Sequence, residues 1–593
     1  MHPIVAQMQP SDEQEPAVRE RGRDVVVTAG AGTGKTRTLV ARYLSLVAEG
    51  LPLRSIAAIT FTRRAAREMR NRVREEIRGY LEGPELAEGE RQRWQGLYAE
   101  LDAARIGTIH SLCSEILRAH PAEAGLDPRF QVLEEGRGNI LLSQAVDAAL
   151  AWAGDHENVV PLFALLGERG LRHTLRTMLG RRLDAGECFR TLPDPLWPAW
   201  EAHLLRPAQA FLDHPDVRAR FEELCCPRAD GTLDRAERSG DKLAVPLYGL
   251  LAGWDEMAAR RRDGDWAGIL AGLPALRGQM SSLGQAKNWQ PHDPKGALRA
   301  LREAYDAQLK DWCGKGIDLN FERRLAEAVP ALRSLFEQAA EAYRQLKDER
   351  QALDYDDLEE GALRLLAECP AVRARWQDEI QALLVDEFQD TNGRQRDLVA
   401  QLNGERGRLF IVGDAKQSIY RFRGADVVVF RRERQRIEAR GGAGFVLKTS
   451  YRAHRNLIDG LNALLRPVLG DAADPGRPWA EPFAALRPYR VEPAAGFSPP
   501  HLELHLAMGT KTGGALERAA AALAARLVEL AAEVRQGGGR LDWGDVAILC
   551  RASTSFGAYE DALEGAGVPF LTLAGRGFYG RPEVRDLLNI LQA

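Results

Sequence analysis

The sequence predicts an α/β protein in which a parallel sheet with covering helices is split by a long helical insertion and followed by a second, smaller α/β segment. Three observations carry this prediction. Short β-branched runs alternate with helical periodicity over the first 80 residues. The same alternation returns after residues 121–335, which have few strand-like runs, and appears once more after a proline-rich connection. Such alternation of strands and helices is typical of a parallel sheet.

The first elements are a strand at Val25–Val27, a helix with apolar residues at helical spacing from Leu39 to Val47, and a strand from Ile56 to Phe61. Three later strands are buried runs that end in polar residues, and they are expected at Ala382–Val385, Leu409–Val412 and Phe445–Leu447. We expect both groups to belong to one sheet that the insertion interrupts.

The insertion is predicted to be helical and holds seven of the eleven tryptophans, which we interpret as core side chains rather than platforms for nucleobases. From Pro467 to Pro500, eight of the 30 prolines argue against regular structure. Strands are expected again at His501–Leu506, Val546–Cys550 and Pro569–Leu573. The predicted division is a first domain (1–120 and 336–470), the insertion (121–335), a connection (471–500) and the start of a second domain (501–593).

The composition excludes several classes of protein. A chain of 593 residues with 45% hydrophobic and 28% charged residues is typical of several globular domains and not of a disordered chain. The seven cysteines have no CxxC spacing, so neither a zinc site nor a disulfide framework is predicted, and a cytoplasmic location is expected. No apolar run approaches the roughly 20 residues that cross a bilayer, so no membrane partner is expected. The net charge of −4 leaves DNA open as a partner, because nucleic acid contacts only one face.

A glycine-rich loop follows the first strand. Between a strand and an amphipathic helix, such a loop lets backbone N–H groups surround a phosphate, while its lysine supplies charge to the β- and γ-phosphates and its threonine hydroxyl ligates Mg²⁺. A tight glycine turn before a helix is the alternative interpretation. The loop consists of Ala29, Gly30, Ala31, Gly32, Thr33, Gly34, Lys35 and Thr36.

Two acids, Asp386 and Glu387, follow the strand Ala382–Val385. At the carboxyl end of a strand, the first acid can hold Mg²⁺ and the second can take a proton from an attacking water. Considered alone, solvated acids after a strand are the alternative. Together with the glycine loop, the two acids predict hydrolysis of ATP with Mg²⁺, a chemistry shared by small kinases, transporters and motors.

Four further segments narrow this range: 59–69 (ITFTRRAAREM), 107–111 (GTIHS), 413–425 (GDAKQSIYRFRGA) and 450–452 (SYR). With these segments in this order, the sequence resembles the UvrD/Rep branch of superfamily-one DNA helicases over residues 11–120, about 335–460 and 500–593. The resemblance implies RecA-like P-loop NTPase motor domains that use ATP to move 3′ to 5′ on single-stranded DNA in repair or recombination.

The resemblance also implies roles around ATP. Gln14 would read the adenine edge, Arg37 and Tyr451 would sandwich the ring, Gln417 would sense the γ-phosphate, and Arg452 would act as an arginine finger. Ala29 stands where this family usually has alanine. Two alternatives remain, because Tyr451 is also compatible with a core position and Arg37 with a solvated helix position.

For DNA, the resemblance implies contacts from aromatic and polar side chains, since a base stacks on a ring while a cation meets the phosphate. The matching positions are Phe61, Thr62, Thr108, His110, Tyr420, Phe422 and Arg423. Ordinary packing is the alternative for the two phenylalanines. A helix from Arg63 to Arg78 is expected to bury Met69, Val73 and Ile77, with its arginines forming either a solvated face or a phosphate track.

Residues 115–135 and the long insertion before residues 353–358 favour the exonuclease V beta (RecB) or AddA-type helicase-nucleases. The expected partners are then a DNA duplex end and a second subunit of the helicase-nuclease. Two later family motifs and the nuclease motif are not found in the chain, so we expect a truncated second RecA-like domain. The alternative function is an ATP- and DNA-binding fragment without autonomous hydrolysis. Another P-loop enzyme, such as a small-molecule kinase, would not need the ordered DNA motifs.

Overall fold

The computed structural model describes residues 1–83, 86–281, 283–313, 317–421, 424–474, 476–477, 479–510, 513–573 and 582–592. The chain divides into two compact units. The sheet unit comprises Met1–Pro128 and Asp357–Ala593, and the helical unit comprises Arg129–Asp356.

Ten strands lie in the described part of the chain. They are β1 (Val25–Ala29), β2 (Ile56–Thr60), β3 (Ile106–Thr108), β4 (Gln131–Val132), β5 (Ala352–Leu353), β6 (Ala382–Val385), β7 (Leu409–Gly413), β8 (Ala443–Leu447), β9 (Thr449–His454) and β10 (Arg487–Arg490).

The helices are α1 (Pro3–Ala6), α2 (Glu15–Arg19), α3 (Lys35–Ala48), α4 (Arg63–Glu82), α5 (Glu88–Glu100), α6 (Ile109–Ala119), α7 (Pro121–Ala124), α8 (Glu135–Gly154), α9 (Pro161–Leu179), α10 (Arg182–Thr191), α11 (Trp197–Asp213), α12 (Pro215–Ala229), α13 (Thr232–Arg238), α14 (Ala244–Arg262), α15 (Trp266–Gly278), α16 (Pro294–Gln308), α17 (Lys310–Cys313), α18 (Leu319–Asp348), α19 (Tyr355–Glu368), α20 (Pro370–Glu379), α21 (Gly393–Asn403), α22 (Val427–Ala439), α23 (Arg455–Leu469), α24 (Ala515–Gln536), α25 (Phe556–Gly565) and α26 (Pro582–Gln592). Within the described ranges, none of these helices is both long and apolar enough to span a bilayer.

The sheet unit is organised around one sheet of six strands in the order β3-β2-β6-β7-β1-β8. Every pair of neighbours is parallel, and Val26 of β1 lies opposite Ile411 of β7 on one side and Gly444 of β8 on the other. Parallel strands covered on both faces are continuous apolar runs, as β6 and β7 are. The strand predictions for this sheet are confirmed, and the helical unit separates β3 from β6 as expected.

Helices α1, α3 and α4 pack against this sheet. Along α3 the apolar residues from Leu39 to Val47 are buried, and along α4 the buried residues include Met69, Val73 and Ile77, as the periodicity predicts. Strand β3 was not predicted, because its three residues Ile106, Gly107 and Thr108 are too few to show a period. It pairs with β2 at the edge of the sheet and brings Thr108 opposite Thr60.

The helical unit has two cores, one around α8, α9 and α18 and one built from α11 to α18. Trp289 is fully buried, and Trp254 stacks on Phe221 with ring centroids 3.7 Å apart. Trp152, Trp197 and Trp266 are partly buried against these cores, whereas Trp200 and Trp312 are exposed. The interpretation of the tryptophans as core residues is therefore right for five of the seven.

The segments after the sheet differ from the prediction. Residues 501–506, 546–550 and 569–573 are extended but are not strands, and Leu504, Leu549 and Leu571 are more than 80% exposed. An apolar run becomes a strand only when a neighbour pairs with it, and none of the described residues does. In the proline-rich connection the opposite holds, because β10 pairs with β9.

We expect Phe410→Ala to lower the free energy of unfolding of the sheet unit by about 3–5 kcal/mol, because Phe410 is fully buried in β7 and its removal leaves a cavity. Urea denaturation followed by circular dichroism measures the change. Val446→Ala, which truncates a half-exposed side chain on the edge strand β8, is the control and should stay within about 0.5 kcal/mol of the parent. Equal losses in the two variants would contradict the core assignment.

Candidate active site

The glycine-rich loop connects β1 to α3 in a tight curve. Gly32 has φ 74° and Gly34, the residue that caps α3, has φ 86°, both in the left-handed region that favours glycine. The Thr33 hydroxyl donates to the carbonyl of Gly30 at 2.9 Å and braces the loop. The first N–H groups of α3 have no acceptor inside the helix, so the loop and the first turn together suit an anion.

Lys35, in the first turn of α3, joins the ends of two other strands. Its ammonium lies 2.9 Å from Oε2 of Glu387, which follows β6, and 2.9 Å from Oε1 of Gln417, which follows β7. Nε2 of Gln389 donates to the same Oε2 of Glu387 at 2.9 Å. The structure therefore brings together Lys35, Glu387 and Gln417, three of the five predicted catalytic residues.

The two acids after β6 have different environments. Asp386 is buried, and its Oδ1 accepts a hydrogen bond from the backbone N–H of Glu387 at 3.0 Å. Burial, and secondly the negative charge of Glu387, raise the pKa of the Asp386 carboxyl to about 7, while the Lys35 ammonium acts in the opposite direction. Glu387 has φ 50°, an uncommon conformation for this residue type that turns its side chain toward Lys35.

Asp414 positions Gln417. Oδ2 of Asp414 accepts a hydrogen bond from Nε2 of Gln417 at 2.9 Å, so the amide oxygen of Gln417 is the atom presented to Lys35. The backbone N–H of Asp414 donates to Oε1 of Gln389 at 3.0 Å. The ends of β6 and β7 are thus cross-linked through one glutamine, Gln389, which the sequence alone did not single out.

The predicted adenine reader, Gln14, is buried behind the loop. Its Nε2 donates to the carbonyl of Thr33 at 3.0 Å and its Oε1 accepts from the N–H of Ser11 at 3.1 Å. The neighbouring Glu13 accepts hydrogen bonds from the backbone N–H groups of Lys448 at 2.8 Å and Thr449 at 3.0 Å. Burial raises the pKa of Glu13, but these bonds outweigh it and the pKa lies below its ordinary value.

Tyr451 and Arg452 lie against the same loop. The N–H of Tyr451 donates to the carbonyl of Gly32 at 2.8 Å, and the Tyr451 ring packs on Tyr489 with centroids 4.8 Å apart. Arg37 is exposed, and its guanidinium donates to the carbonyl of Met8. Tyr489 was missed because it lies in the proline-rich connection, where no regular element was expected.

The remaining nucleotide-site residues keep their predicted places in the chain: Ala29 ends β1 and is buried, Ala31 is exposed in the loop, and Thr36 is partly buried in the first turn of α3. No group of three or more His, Cys, Asp and Glu side chains in the described ranges has the geometry of a metal site. Mg²⁺ is typically bound by one or two carboxylates together with substrate phosphates, so the oxygen donors of Thr36 and Asp386 fit this cation.

The residues predicted to contact DNA follow β2, β3 and β7. The rings of Phe61 and Tyr420 are 4.6 Å apart at 38°. Thr62 caps α4, and Thr108 caps α6 in a reciprocal pair with Ser111. His110 lies 2.9 Å from the carboxylate of Glu359. The two further residues predicted for this surface, Phe422 and Arg423, lie outside the described residues.

The outer face of α4 carries several of its own ion pairs. Arg72 contacts Glu68 at 2.6 Å, and Arg74 contacts Asp102 at 2.7 Å. Both alternatives for this basic helix, a solvated face and a phosphate track, are compatible with these contacts.

A parallel sheet, a glycine loop before a helix that begins at a lysine, and acids at the end of a neighbouring strand define the class of P-loop nucleotide-binding proteins. Residues 10–438 match the sequence model of the family described as UvrD/REP helicase N-terminal domain. The match covers more than half of the chain, which therefore belongs to this family of ATP-dependent DNA helicases.

The chain is also similar to bacterial proteins that are named as subunits of an ATP-dependent helicase/nuclease, of the AddA type. It is 29% identical over 98% of its length to the one from Desulforudis audaxviator, covering 51% of that protein. For the one from Geobacillus thermodenitrificans the identity is 27% over 98% of the chain and 50% of the relative, and for Levilactobacillus brevis it is 28% over 77% and 38%. The chain thus spans about half, or less, of the length of these relatives.

We expect Gly32→Ala to weaken ATP binding by about tenfold or more. An alanine Cβ would lie 2.7 Å from Cβ of Arg452 and 2.8 Å from Oγ of Ser450, and φ 74° is unfavourable for alanine. Titration of a fluorescent ATP analogue measures the affinity.

Gly22→Ala is the matched control, because Gly22 has φ 77° but no atom within 4 Å of an added Cβ. The control should bind the analogue like the parent. A comparable loss in both variants would show that backbone strain, and not the crowded loop, causes the effect.

Proposed function

We propose that this chain binds ATP with Mg²⁺ and hydrolyses it to drive 3′ to 5′ movement on single-stranded DNA, as the motor part of a DNA repair or recombination helicase-nuclease. The observation that carries the proposal is the contact of Lys35 with both Glu387 and Gln417, because it joins the phosphate-type loop to a base and a polar sensor. Membership of the UvrD/REP helicase family supports the choice of DNA as the polymer on which it acts.

In this proposal each group has a distinct task in hydrolysis. The loop N–H groups and Lys35 hold the β- and γ-phosphates, and Glu387 accepts the proton of the attacking water. Gln417, aligned by Asp414, contacts the γ-phosphate, and Arg452 supplies positive charge to it. Gln14, Arg37 and Tyr451 bind the adenine.

Mg²⁺ would be held by Thr36 and Asp386. When bound, it would neutralise phosphate charge and help to orient the γ-phosphate. Two adjacent carboxylates, one of them buried with its pKa raised to about 7, form the kind of environment that a divalent cation stabilises.

For DNA, Phe61 and Tyr420 would stack on bases while Thr62, Thr108, His110, Phe422 and Arg423 complete the contact surface. The ring pair of Phe61 and Tyr420 supports this proposal, since it places two aromatic faces side by side after β2 and β7. We further propose a division into RecA-like motor domains and a cytoplasmic location where DNA is accessible. The partner would be a second subunit of a helicase-nuclease, since the names of the relatives describe them as subunits.

A second candidate function is an ATP- and DNA-binding module that does not hydrolyse ATP alone. The observation that favours it is the share of the relatives that the chain covers, between 38% and 51% for the three compared. In helicases of this class, hydrolysis also needs groups from a second motor domain.

The ATPase rate with and without single-stranded DNA tests both candidates, with Lys35→Ala as the blank. We expect DNA to stimulate the parent and Lys35→Ala to lower the rate by about 10²–10³-fold, the effect of removing one charge-stabilising donor. DNA binding by this variant should be largely retained. Lys242→Ala, an exposed lysine of the helical unit, is the control and should behave like the parent.

A parent rate equal to the blank, with ATP still bound, would favour the second candidate. A Lys35→Ala variant with full ATPase activity would overturn the assignment of the loop.

Phe61→Ala should weaken binding of an oligo-dT strand by roughly 1–3 kcal/mol, the contribution of one stacked base. Fluorescence anisotropy measures the affinity. Ile419→Ala, which truncates a 70% exposed aliphatic side chain beside Tyr420, removes apolar surface without a ring and should have the smaller effect. The reverse ranking would argue that Phe61 is a packing residue.

A further inference from the structure

His110 and Glu359 form an ion pair between two helices of the sheet unit. His110 is the second residue of α6, and its Nε2 lies 2.9 Å from Oε1 of Glu359 on α19. The His110 side chain is 28% exposed, whereas that of Glu359 is only 5% exposed. The pair therefore has one member at the surface and one in the interior.

The buried carboxylate of Glu359 has further partners on α21. Its Oε1 accepts a hydrogen bond from Nε2 of Gln395 at 2.6 Å, and its Oε2 accepts from Nδ2 of Asn392 at 3.2 Å. Burial by itself raises the pKa of this carboxyl, but the hydrogen bonds and the charge of His110 outweigh it and the pKa lies below its ordinary value. Glu359 is therefore a carboxylate at neutral pH, and Arg394, 3.9 Å from its Oε2, adds to the favourable charge.

Asn392 and Gln395 are the capping pair of α21. The N–H of Gln395 donates to Oδ1 of Asn392 at 2.8 Å, and the N–H of Asn392 donates to Oε1 of Gln395 at 3.3 Å. Each of these amide side chains thus uses one end to cap the helix and the other to hold Glu359. A change at the carboxylate is consequently felt at the start of α21.

The start of α21 is two residues after the acidic motif. The short 3-10 turn Phe388–Asp390 joins Glu387 to Thr391, whose hydroxyl donates to the carbonyl of Phe388 at 2.7 Å. Within this turn Gln389 donates to Glu387 and accepts from the N–H of Asp414. One continuous set of hydrogen bonds and short backbone connections therefore leads from His110 to Glu387.

We infer that Glu359 is a positioning residue that transmits DNA contact at His110 to the acid Glu387. The inference rests on the proposed function, in which His110 faces DNA. A phosphate that approaches the imidazole competes with Glu359 for its proton and charge, and the altered pull on Glu359 shifts the cap of α21 and the turn that orients Gln389 against Glu387. Glu359 touches neither DNA nor ATP in this scheme.

The test compares the ratio of DNA-stimulated to DNA-free ATPase rates in the full chain and in Glu359→Gln, which keeps the shape of the side chain but removes its charge. We expect this ratio to fall about tenfold, within the usual range of coupling between two sites. Glu360→Gln is the matched control, because it removes the same charge from the next, exposed position of α19 and should leave the ratio at the parent value.

A double-mutant cycle with His110→Gln distinguishes transmission from a general structural role. If Glu359 acts through His110, the double variant His110→Gln/Glu359→Gln should have the same ratio as His110→Gln alone. Multiplying effects, or a fall of the DNA-free and DNA-stimulated rates by the same factor, would overturn the inference.

Two further outcomes separate this inference from the proposed function. A parent whose rate does not respond to DNA would overturn the proposed function and the inference with it, whereas a responsive parent matched by Glu359→Gln would overturn the inference alone. If thermal melting shows that Glu359→Gln does not fold, Asn392→Ser tests the same step, because serine still caps α21 but removes the amide donor to Glu359. It should also lower the ratio.

Discussion

The site depends on one ammonium group. Lys35 lies between Glu387 and Gln417, and it compensates the negative charge that Asp386 and Glu387 place at the end of β6. Its side chain is 11% exposed, so water screens this interaction less than it would at the surface. The three groups meet only because β1, β6 and β7 are parallel and neighbouring strands whose carboxyl ends reach the same edge. A shift of register by one residue would turn each strand's side chains to opposite faces and separate them.

Backbone contacts then enclose the loop from segments that are distant in the chain. Gln14 bonds to Thr33, Tyr451 bonds to Gly32, and Glu13 ties the N-terminal segment to the start of β9. Because these partners are mostly main-chain atoms, they constrain the path of the loop whatever side chains it carries. The same crowding explains why Gly32 lacks room for a Cβ.

The elements that the sequence predicts well are those whose signal is local. The runs of β1, β6 and β7 and the glycine loop are visible within a few residues, whereas β3 is too short to show a pattern. The expected strands after residue 500 fail for another reason, since pairing is a property of two segments and the sequence of one cannot reveal it. Glu13, Gln389 and Glu359 were missed because each acts through partners that only the fold brings near, as with the 249 positions that separate His110 from Glu359.

The placement of the two candidate surfaces has a physical consequence. Phe61 follows β2, Thr108 ends β3, and the acids follow β6, so the residues proposed for DNA and those proposed for ATP follow consecutive strands of one sheet. A rigid parallel sheet does not change its register, and any movement between the two surfaces must therefore occur in the segments after the strands. These segments are short and are cross-linked by side chains such as Gln389 and Glu359. Polar cross-links of this kind, rather than the apolar core, are the elements able to relate the occupancy of one surface to the geometry of the other.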